Sequence, residues 1–278
     1  MLISQCLHQG SQRLENLSDS PRLDAEVLLA HSLQKTRTWL ATWPDTPLQA
    51  AQLAQFQQLI DKRCAGHPVA HITGHREFWS LDLLVNENTL IPRPDTELMV
   101  EQILQHYPQY ENIQLVDPGT GSGAIALAIA SERPHWKIFA TDQCPLALQI
   151  AQQNAQNLQL TQIEFRQGNW LEAVTGLKFD IIACNPPYIP LSDPHLQQGD
   201  IRFEPSHALA SGADGLDDIR LITAQARTCL KPAGRLFIEH GYDQKQKILD
   251  IFIENTYKEV IQLMDLSQNP RLTTGIID

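Results

Sequence analysis

Residues 113–123 read Ile113-Gln114-Leu115-Val116-Asp117-Pro118-Gly119-Thr120-Gly121-Ser122-Gly123. A short apolar run leads into three glycines at alternate positions, and the apolar stretch Ala124–Ala130 follows at once. The pattern predicts a strand over Ile113–Asp117 and a helix over Ser122–Ser131, joined by a turn tight enough to need glycine. Glycines there let backbone come close to a ligand, and the free N–H groups of a helix start are expected to face the same crevice. Asp142 is expected at the end of the next strand, 19 residues beyond Gly123. A carboxylate in that place can accept hydrogen bonds from both hydroxyls of a ribose. The loop alone does not choose the cofactor. Gly119-x-Gly121-x-x-Ala124 also meets the loose dinucleotide pattern, which leaves a nicotinamide dehydrogenase open.

Strand and helix alternate on either side of that loop. Further strands are expected at Trp136–Thr141, Ile163–Gln167, Phe179–Cys184 and Gly234–Glu239, and near Val260 and Ile276; helices are expected at Pro145–Asn157, Leu216–Leu230 and Asp243–Asn255. Strands separated by helices imply an α/β fold, a Rossmann-like parallel sheet covered by helices on both faces. The first 75 residues read instead as helices. Pro21 opens one, with Leu23, Val27, Leu28 and His31 on one face; a second starts near Pro47, runs through Ile60 and stops at Gly66-His67-Pro68. Phe78–Val85 alternates as a short hairpin. The expected division is a small helical domain over 1–75, a β-hairpin linker over 76–90 and the α/β domain over 91–278.

Composition narrows the class. Of the 278 residues 42% are hydrophobic, which excludes disorder, and the longest strongly apolar stretch, Ala124–Ala130, is far short of the roughly 20 residues a membrane helix needs. The start MLISQCLHQG lacks a basic flank and a signal-like apolar core, so secretion is not expected. Five scattered cysteines without a CxxC pair point to a reduced, cytoplasmic protein with no metal site. The histidines scatter too, and His71 and His75 read as structural. A net charge of −11 argues against nucleic acid as the main partner, because such binding draws on Lys and Arg meeting phosphates.

The second informative stretch is Phe179-Asp180-Ile181-Ile182-Ala183-Cys184-Asn185-Pro186-Pro187-Tyr188. Two prolines after a buried strand remove two N–H donors and fix two φ angles, so the chain leaves the sheet on a stiff path. The Asn185 side-chain oxygen and the Pro186 carbonyl can together accept both hydrogens of a planar –NH₂ group. Tyr188 offers an aromatic face beside it. Taken alone the stretch is also an ordinary rigid turn; beside the glycine loop it reads as a site.

DPGTGSG, Asp142 and NPPY together resemble the class I S-adenosylmethionine-dependent methyltransferases that modify planar amino or amide nitrogens. HITGHREFWSLDLL, IPRPDTE, RQGNW and IRFEPSHALASGADGLD, with the helical N-terminal module, make the whole chain similar to the PrmC/HemK family. These are the protein-glutamine N5-methyltransferases of peptide chain release factors. The resemblance implies S-adenosylmethionine as cofactor, held by Gly119, Thr120, Gly121, Ser122, Gly123, Asp142, Asn185 and, against the adenine, Trp170. It implies a substrate site at Asn185, Pro186, Pro187 and Tyr188, with Asn185, Pro186 and Tyr188 as the catalytic group. The helical module would grip the release factor, whose Gly-Gly-Gln glutamine takes the methyl group. A monomer is expected, with no stable nucleic-acid partner. Pro118 stands where an aliphatic residue is expected and Asn169 where the family often has Asp; neither removes a residue needed for the chemistry. Arg93 could pair with a carboxylate, with a structural salt link the preferred reading, and no role is assigned to Glu97. Because NPPY is shared with enzymes that methylate exocyclic amino groups of DNA or RNA bases, such an activity is the alternative.

Overall fold

In the computed structural model, which describes residues 1–107 and 112–278, the chain divides into two compact units, Met1–His75 and Arg76–Asp278. The first unit is helical: α1 (Ile3–Leu14), α2 (Pro21–Leu33), α3 (Arg37–Thr42), α4 (Ala50–Cys64) and α5 (Val69–Thr73). Its core joins Ile3, Leu7 and Leu14 of α1 to Leu28 and Leu29 of α2 and Phe56 and Ile60 of α4. Gly10 permits this approach, since a Cβ there would lie 2.9 Å from the Phe56 ring. The buried face of α2 is turned from the one expected. Leu23 is exposed, while Asp24, Ala25, Leu28 and Leu29 are buried. The cause is polar: the Asp24 carboxylate accepts from Arg63 Nε of α4 at 2.8 Å and from the hydroxyls of Ser18 and Ser20. A buried charge needs such partners, so Asp24 must face α4. The helix expected from Pro47 begins only at Ala50, because Pro47 is taken into a bridge with Leu2 and the Leu48 N–H donates to Met1 O.

The second unit opens with a hairpin, β1 (His75–Phe78) and β2 (Leu81–Leu84), whose turn residues Trp79 and Ser80 both have positive φ. This is the turn geometry that suits the twist of paired strands. After it come α6 (Glu97–His106), β3 (Gln114–Pro118), α7 (Ala124–Glu132), β4 (Lys137–Asp142), α8 (Pro145–Asn157), β5 (Ile163–Gln167), β6 (Phe179–Cys184), α9 (Asp217–Cys229), β7 (Leu230–Glu239), α10 (Lys245–Glu254), β8 (Lys258–Met264) and β9 (Pro270–Ile276). Seven strands form one sheet in the order β5-β4-β3-β6-β7-β9-β8. Strands β3 to β7 pair in parallel, whereas β9 runs antiparallel to both β7 and β8. The expected wholly parallel sheet therefore fails at one edge. Only the short segment 265–269 separates β8 from β9; a parallel connection needs a crossover of about a dozen residues or more, so the chain must turn back as a hairpin.

Alternate strand residues build the two faces. Leu115, Ile138, Ala140, Ile181 and Ala183 pack with Val100 and Ile103 of α6 and with α7. Val116, Phe139, Ile182, Cys184 and Ile238 pack with Ile219 and Ile222 of α9 and Phe252 of α10. Helix α7 is apolar all round because every residue from Ala124 to Ala130 is buried. Among the described residues no helix is long and apolar enough to cross a membrane.

The hairpin expected as a linker packs within the second unit. Phe78 and Leu83 join its core. Asn154 of α8, 1% exposed, accepts from the Leu84 N–H at 2.7 Å and donates to Leu84 O and to Ser122 O. One buried carboxamide thus ties the hairpin to the glycine loop. Asn154→Leu strands three backbone groups, and we expect it to lower the unfolding free energy by about 3 kcal/mol, measured by urea denaturation. A variant as stable as wild type would show that this tie contributes nothing.

Candidate active site

Strand order reverses between β3 and β6: β4 and β5 lie to one side, β7 to the other. Ligand crevices form at such a reversal, beyond the carboxyl ends of the strands. Register pairs Leu115 with Ile181 and Val116 with Ile182, so both strands end at the same level. Cys184 Sγ donates to Pro118 O at 3.0 Å, closing the seam just below the two loops. The glycine loop and Asn185-Pro186-Pro187-Tyr188 therefore emerge side by side.

Ahead of the helix start, the N–H groups of the glycine loop find partners inside the fold. Gly119 and Thr120 both donate to Thr141 O, at 2.8 and 2.9 Å, Gly121 donates to Asp142 Oδ2 at 2.9 Å, and Gly123 to Thr120 O at 2.8 Å. Pairing with the end of β4 consumes the donors of Gly119, Thr120 and Gly121, a turn within the loop consumes that of Gly123, and what glycine supplies is shape. Gly119 has φ +76°, and a Cβ there would lie 2.6 Å from the Trp170 ring. Only a residue without a side chain lets backbone and indole meet.

Gly119, Gly121, Asp142, Asn169, Trp170 and Asn185 line one cleft of about 560 Å³. Thr120, Ser122 and Gly123 sit behind its wall. Thr120 Oγ1 donates to Asp117 Oδ2 at 2.7 Å, Ser122 is buried beside Asn154, and Gly123 precedes α7. Each Asp142 oxygen takes one backbone N–H, from Gly121 or from Cys144 at 2.8 Å, leaving each a second lone pair. Trp170 has φ +49°; its Nε1 donates to Asp218 Oδ1 at 3.1 Å, and its carbonyl accepts from Thr141 Oγ1 at 2.7 Å. The indole is thus held from α9 and from β4. An aromatic face, a carboxylate and amide side chains around one cleft match a planar base with its ribose, so these residues fit a nucleoside cofactor.

A second cavity of about 410 Å³ adjoins the first, lined by Arg93, Asn185, Pro186, Pro187, Tyr188 and Ile201 among others. Leu90, Asn185, Pro187 and Ala208 border both. Asn185 Nδ2 donates to Thr96 Oγ1 at 3.1 Å, and Thr96 Oγ1 donates to Glu239 Oε2 at 2.7 Å. Tyr188 Oη lies 3.4 Å from Glu239 Oε1, and Tyr188 O accepts from Gln244 Nε2 at 2.8 Å. Burial pushes the Glu239 carboxyl up to about 7, against the pull of the Thr96 hydrogen bond and of Arg271. Burial, with Glu239 beside it, also raises the Tyr188 phenol.

The segment IPRPDTE spreads its contacts. Arg93 pairs with Glu204, whose Oε2 also accepts from the Ile91 N–H at 2.9 Å, and Glu97 accepts from the Trp79 N–H at 2.9 Å. Arg93 makes the kind of salt link expected of it and also lines the second cavity. Sequence reasoning passed over Thr96 and Glu239. A carboxylate closing the apolar strand Leu236-Phe237-Ile238 was the available signal. It also passed over Asn88, Thr89 and Leu90, which reach the cleft because the hairpin carries them there; nothing local marks them. His207 and Ala208 lie in the quoted segment after NPPY and also reach the cleft.

A doubly covered sheet with these two loops at its reversal is the arrangement of the class I S-adenosylmethionine-dependent methyltransferases. The fold is shared with a methyltransferase from Pyrococcus furiosus, with TM-score 0.54 and 16% identity over 79% of this chain and 96% of that one. A methyltransferase-domain family model matches residues 109–271, and a PrmC N-terminal domain model matches residues 5–74. The release factor glutamine methyltransferase of Shewanella oneidensis is 47% identical over 273 residues, 98% of this chain and 95% of that protein. Its namesake from Escherichia coli is 46% identical over 258 residues, 93% of each. The chain belongs to the PrmC/HemK release factor glutamine methyltransferase family.

Asp117, 1% exposed at the end of β3, carries the plainest pH signature of the site. Burial raises its carboxyl from 3.8 to about 7, opposed by hydrogen bonds from Thr120 and the Ala126 N–H and reinforced by Asp142. A carboxyl raised on folding adds stability that is complete below its unfolded value and lost as pH rises through its folded value. Asp117→Asn removes that dependence. Between pH 5 and pH 8 the stability difference between wild type and variant is expected to move against the wild type by about 2 kcal/mol, read from urea unfolding at each pH. A constant difference would mean the carboxyl is ionised throughout.

Proposed function

We propose that this protein transfers a methyl group from S-adenosylmethionine to the side-chain amide nitrogen of the glutamine in the Gly-Gly-Gln motif of peptide chain release factors, acting as a cytoplasmic monomer. The observation that carries the reading is Asn185, which borders both cavities at once. A residue so placed faces a cofactor on one side and a substrate on the other. Near-full-length likeness to release factor glutamine methyltransferases supports the substrate class.

Gly119 and Gly121 would shape the methionine side of the cofactor site, with Thr120, Ser122 and Gly123 bracing the loop. Asp142 would take the ribose hydroxyls and Trp170 the adenine. The cofactor supplies an electrophilic methyl on a sulfonium, a centre reactive enough that alignment and exclusion of water become the main task. An amide nitrogen is a poor nucleophile, since its lone pair is delocalised into the carbonyl. Asn185 Oδ1 and the Pro186 carbonyl would accept its two hydrogens, orient it and raise its electron density. Pro186 and Pro187 hold these acceptors on a stiff path, and the Tyr188 ring walls the substrate cavity. Asn185 is not a base, since a neutral carboxamide has no useful basicity; the proton would leave to solvent after transfer, when the cationic N-methyl amide is strongly acidic. Residues 1–75, a separate helical unit with its own core, would grip the protein substrate.

Mass spectrometry of release factors incubated with the protein and cofactor tests the reading, with DNA and RNA pools in parallel. One added methyl on the Gly-Gly-Gln glutamine is expected, and label confined to nucleic acid would overturn it. Asn185→Ala should lower kcat on the order of 100-fold while changing cofactor Kd only severalfold; equal losses in both would make Asn185 a cofactor ligand only. Gly119→Ala, by contrast, should weaken cofactor binding about tenfold or more, roughly 1.4 kcal/mol, because the new Cβ displaces Trp170. Calorimetric titration reads both.

A further inference from the structure

The Asn185 carboxamide has two ends of opposite chemistry, and the reading above works only if its oxygen meets the substrate nitrogen. Turned half a revolution about its last bond, the group would fill the same space but aim N–H donors at a nitrogen that itself carries hydrogens. What chooses between the two orientations lies behind the loop. Asn185 Nδ2 stands 3.1 Å from Thr96 Oγ1, which stands 2.7 Å from Glu239 Oε2. Thr96 is 4% and Glu239 2% exposed. In its ionised form Glu239 has no hydrogen to give, and the Thr96 hydroxyl donates to it. With its single hydrogen spent, Thr96 can meet Asn185 only through a lone pair. The amino end of Asn185 satisfies that lone pair; the oxygen end would face it without a hydrogen bond. In a buried place such a mismatch biases the orientations by roughly tenfold to a hundredfold.

We propose that Thr96 and Glu239 are positioning residues for methyl transfer, a buried relay that holds the Asn185 carboxamide with its oxygen toward the reacting nitrogen. The inference rests on the methyl transfer proposed above. The relay joins three separate parts of the chain: the residue preceding α6, the loop after β6 and the last residue of β7. Glu239 also steadies the far end of the same loop, since its other oxygen lies 3.4 Å from Tyr188 Oη.

The test measures methylation of an intact release factor by the full-length protein, with cofactor affinity measured separately. Thr96→Val keeps the shape and removes the hydroxyl; kcat should fall on the order of 100-fold, with cofactor Kd and substrate KM within about threefold of wild type. Thr96→Ser keeps the hydroxyl and should stay within about threefold in kcat. A Thr96→Val enzyme with wild-type kcat overturns the relay, as does a Thr96→Ser enzyme equally slow. Should Thr96→Val not fold, the Glu239 variants decide. Glu239→Gln still offers Thr96 an acceptor and should lose about fivefold at most, whereas Glu239→Met offers none and should lose on the order of 100-fold; equal losses overturn the relay. A wild type inactive on release factors would defeat the proposed function and this inference together. An active wild type with an indifferent Thr96→Val defeats the inference alone.

Discussion

The parallel pairing of β3 with β6 is the constraint from which the site follows. Two loops far apart in the chain, one rich in glycine and one in proline, share a crevice only because the strands that carry them end at one level. The pairing of Leu115 with Ile181 and Val116 with Ile182, sealed by Cys184 Sγ on Pro118 O, sets that level. A register shift of one residue would turn every side chain of β6 to the opposite face and carry Asn185 away from the glycine loop. Buried Leu115, Val116, Ile181 and Ile182 hold the register through ordinary packing on both faces. The reactive geometry is thus maintained by hydrophobic residues that touch no ligand.

The two loops solve opposite problems. The glycine loop gives the N–H groups of Gly119, Thr120 and Gly121 to Thr141 and Asp142, and its glycines supply the shape that lets backbone lie against the Trp170 ring. The Asn-Pro-Pro-Tyr loop gives up backbone donors through its prolines and is held by side chains instead, with Thr96, Glu239 and Gln244 each gripping a different atom of it. Both arrangements leave rigid acceptors at the crevice. Beneath each loop lies a buried carboxyl pushed up to about 7, Asp117 under the first and Glu239 under the second. Such groups cost stability when ionised and are kept where they organise neighbouring hydroxyls.

Much of this was legible in residue order. Gly119, Gly121, Asp142, Trp170 and Asn185 were all singled out from motif and resemblance, and all line one cleft. The misreadings share a cause. The buried face of α2, the late start of α4 and the antiparallel β9 each depend on a partner distant in the chain: Asp24 on Arg63, Pro47 on Leu2, β9 on β7. Local periodicity carries no information about such partners. That the N–H groups of Gly119 and Thr120 are taken was hidden for the same reason, since Thr141 belongs to the neighbouring strand.

By itself the sequence determined the elements, the loops between them and the chemistry those loops carry, because glycine, proline and apolar periodicity act on backbone within a few residues of themselves. Tertiary structure alone decided which acids are buried, which donors are already consumed and which end of Asn185 meets the crevice. Those properties belong to contacts such as Asn185 with Thr96, 89 residues apart, and Thr96 with Glu239, 143 apart. Hydrogen-bond polarity and desolvation exist only once distant side chains have been brought together.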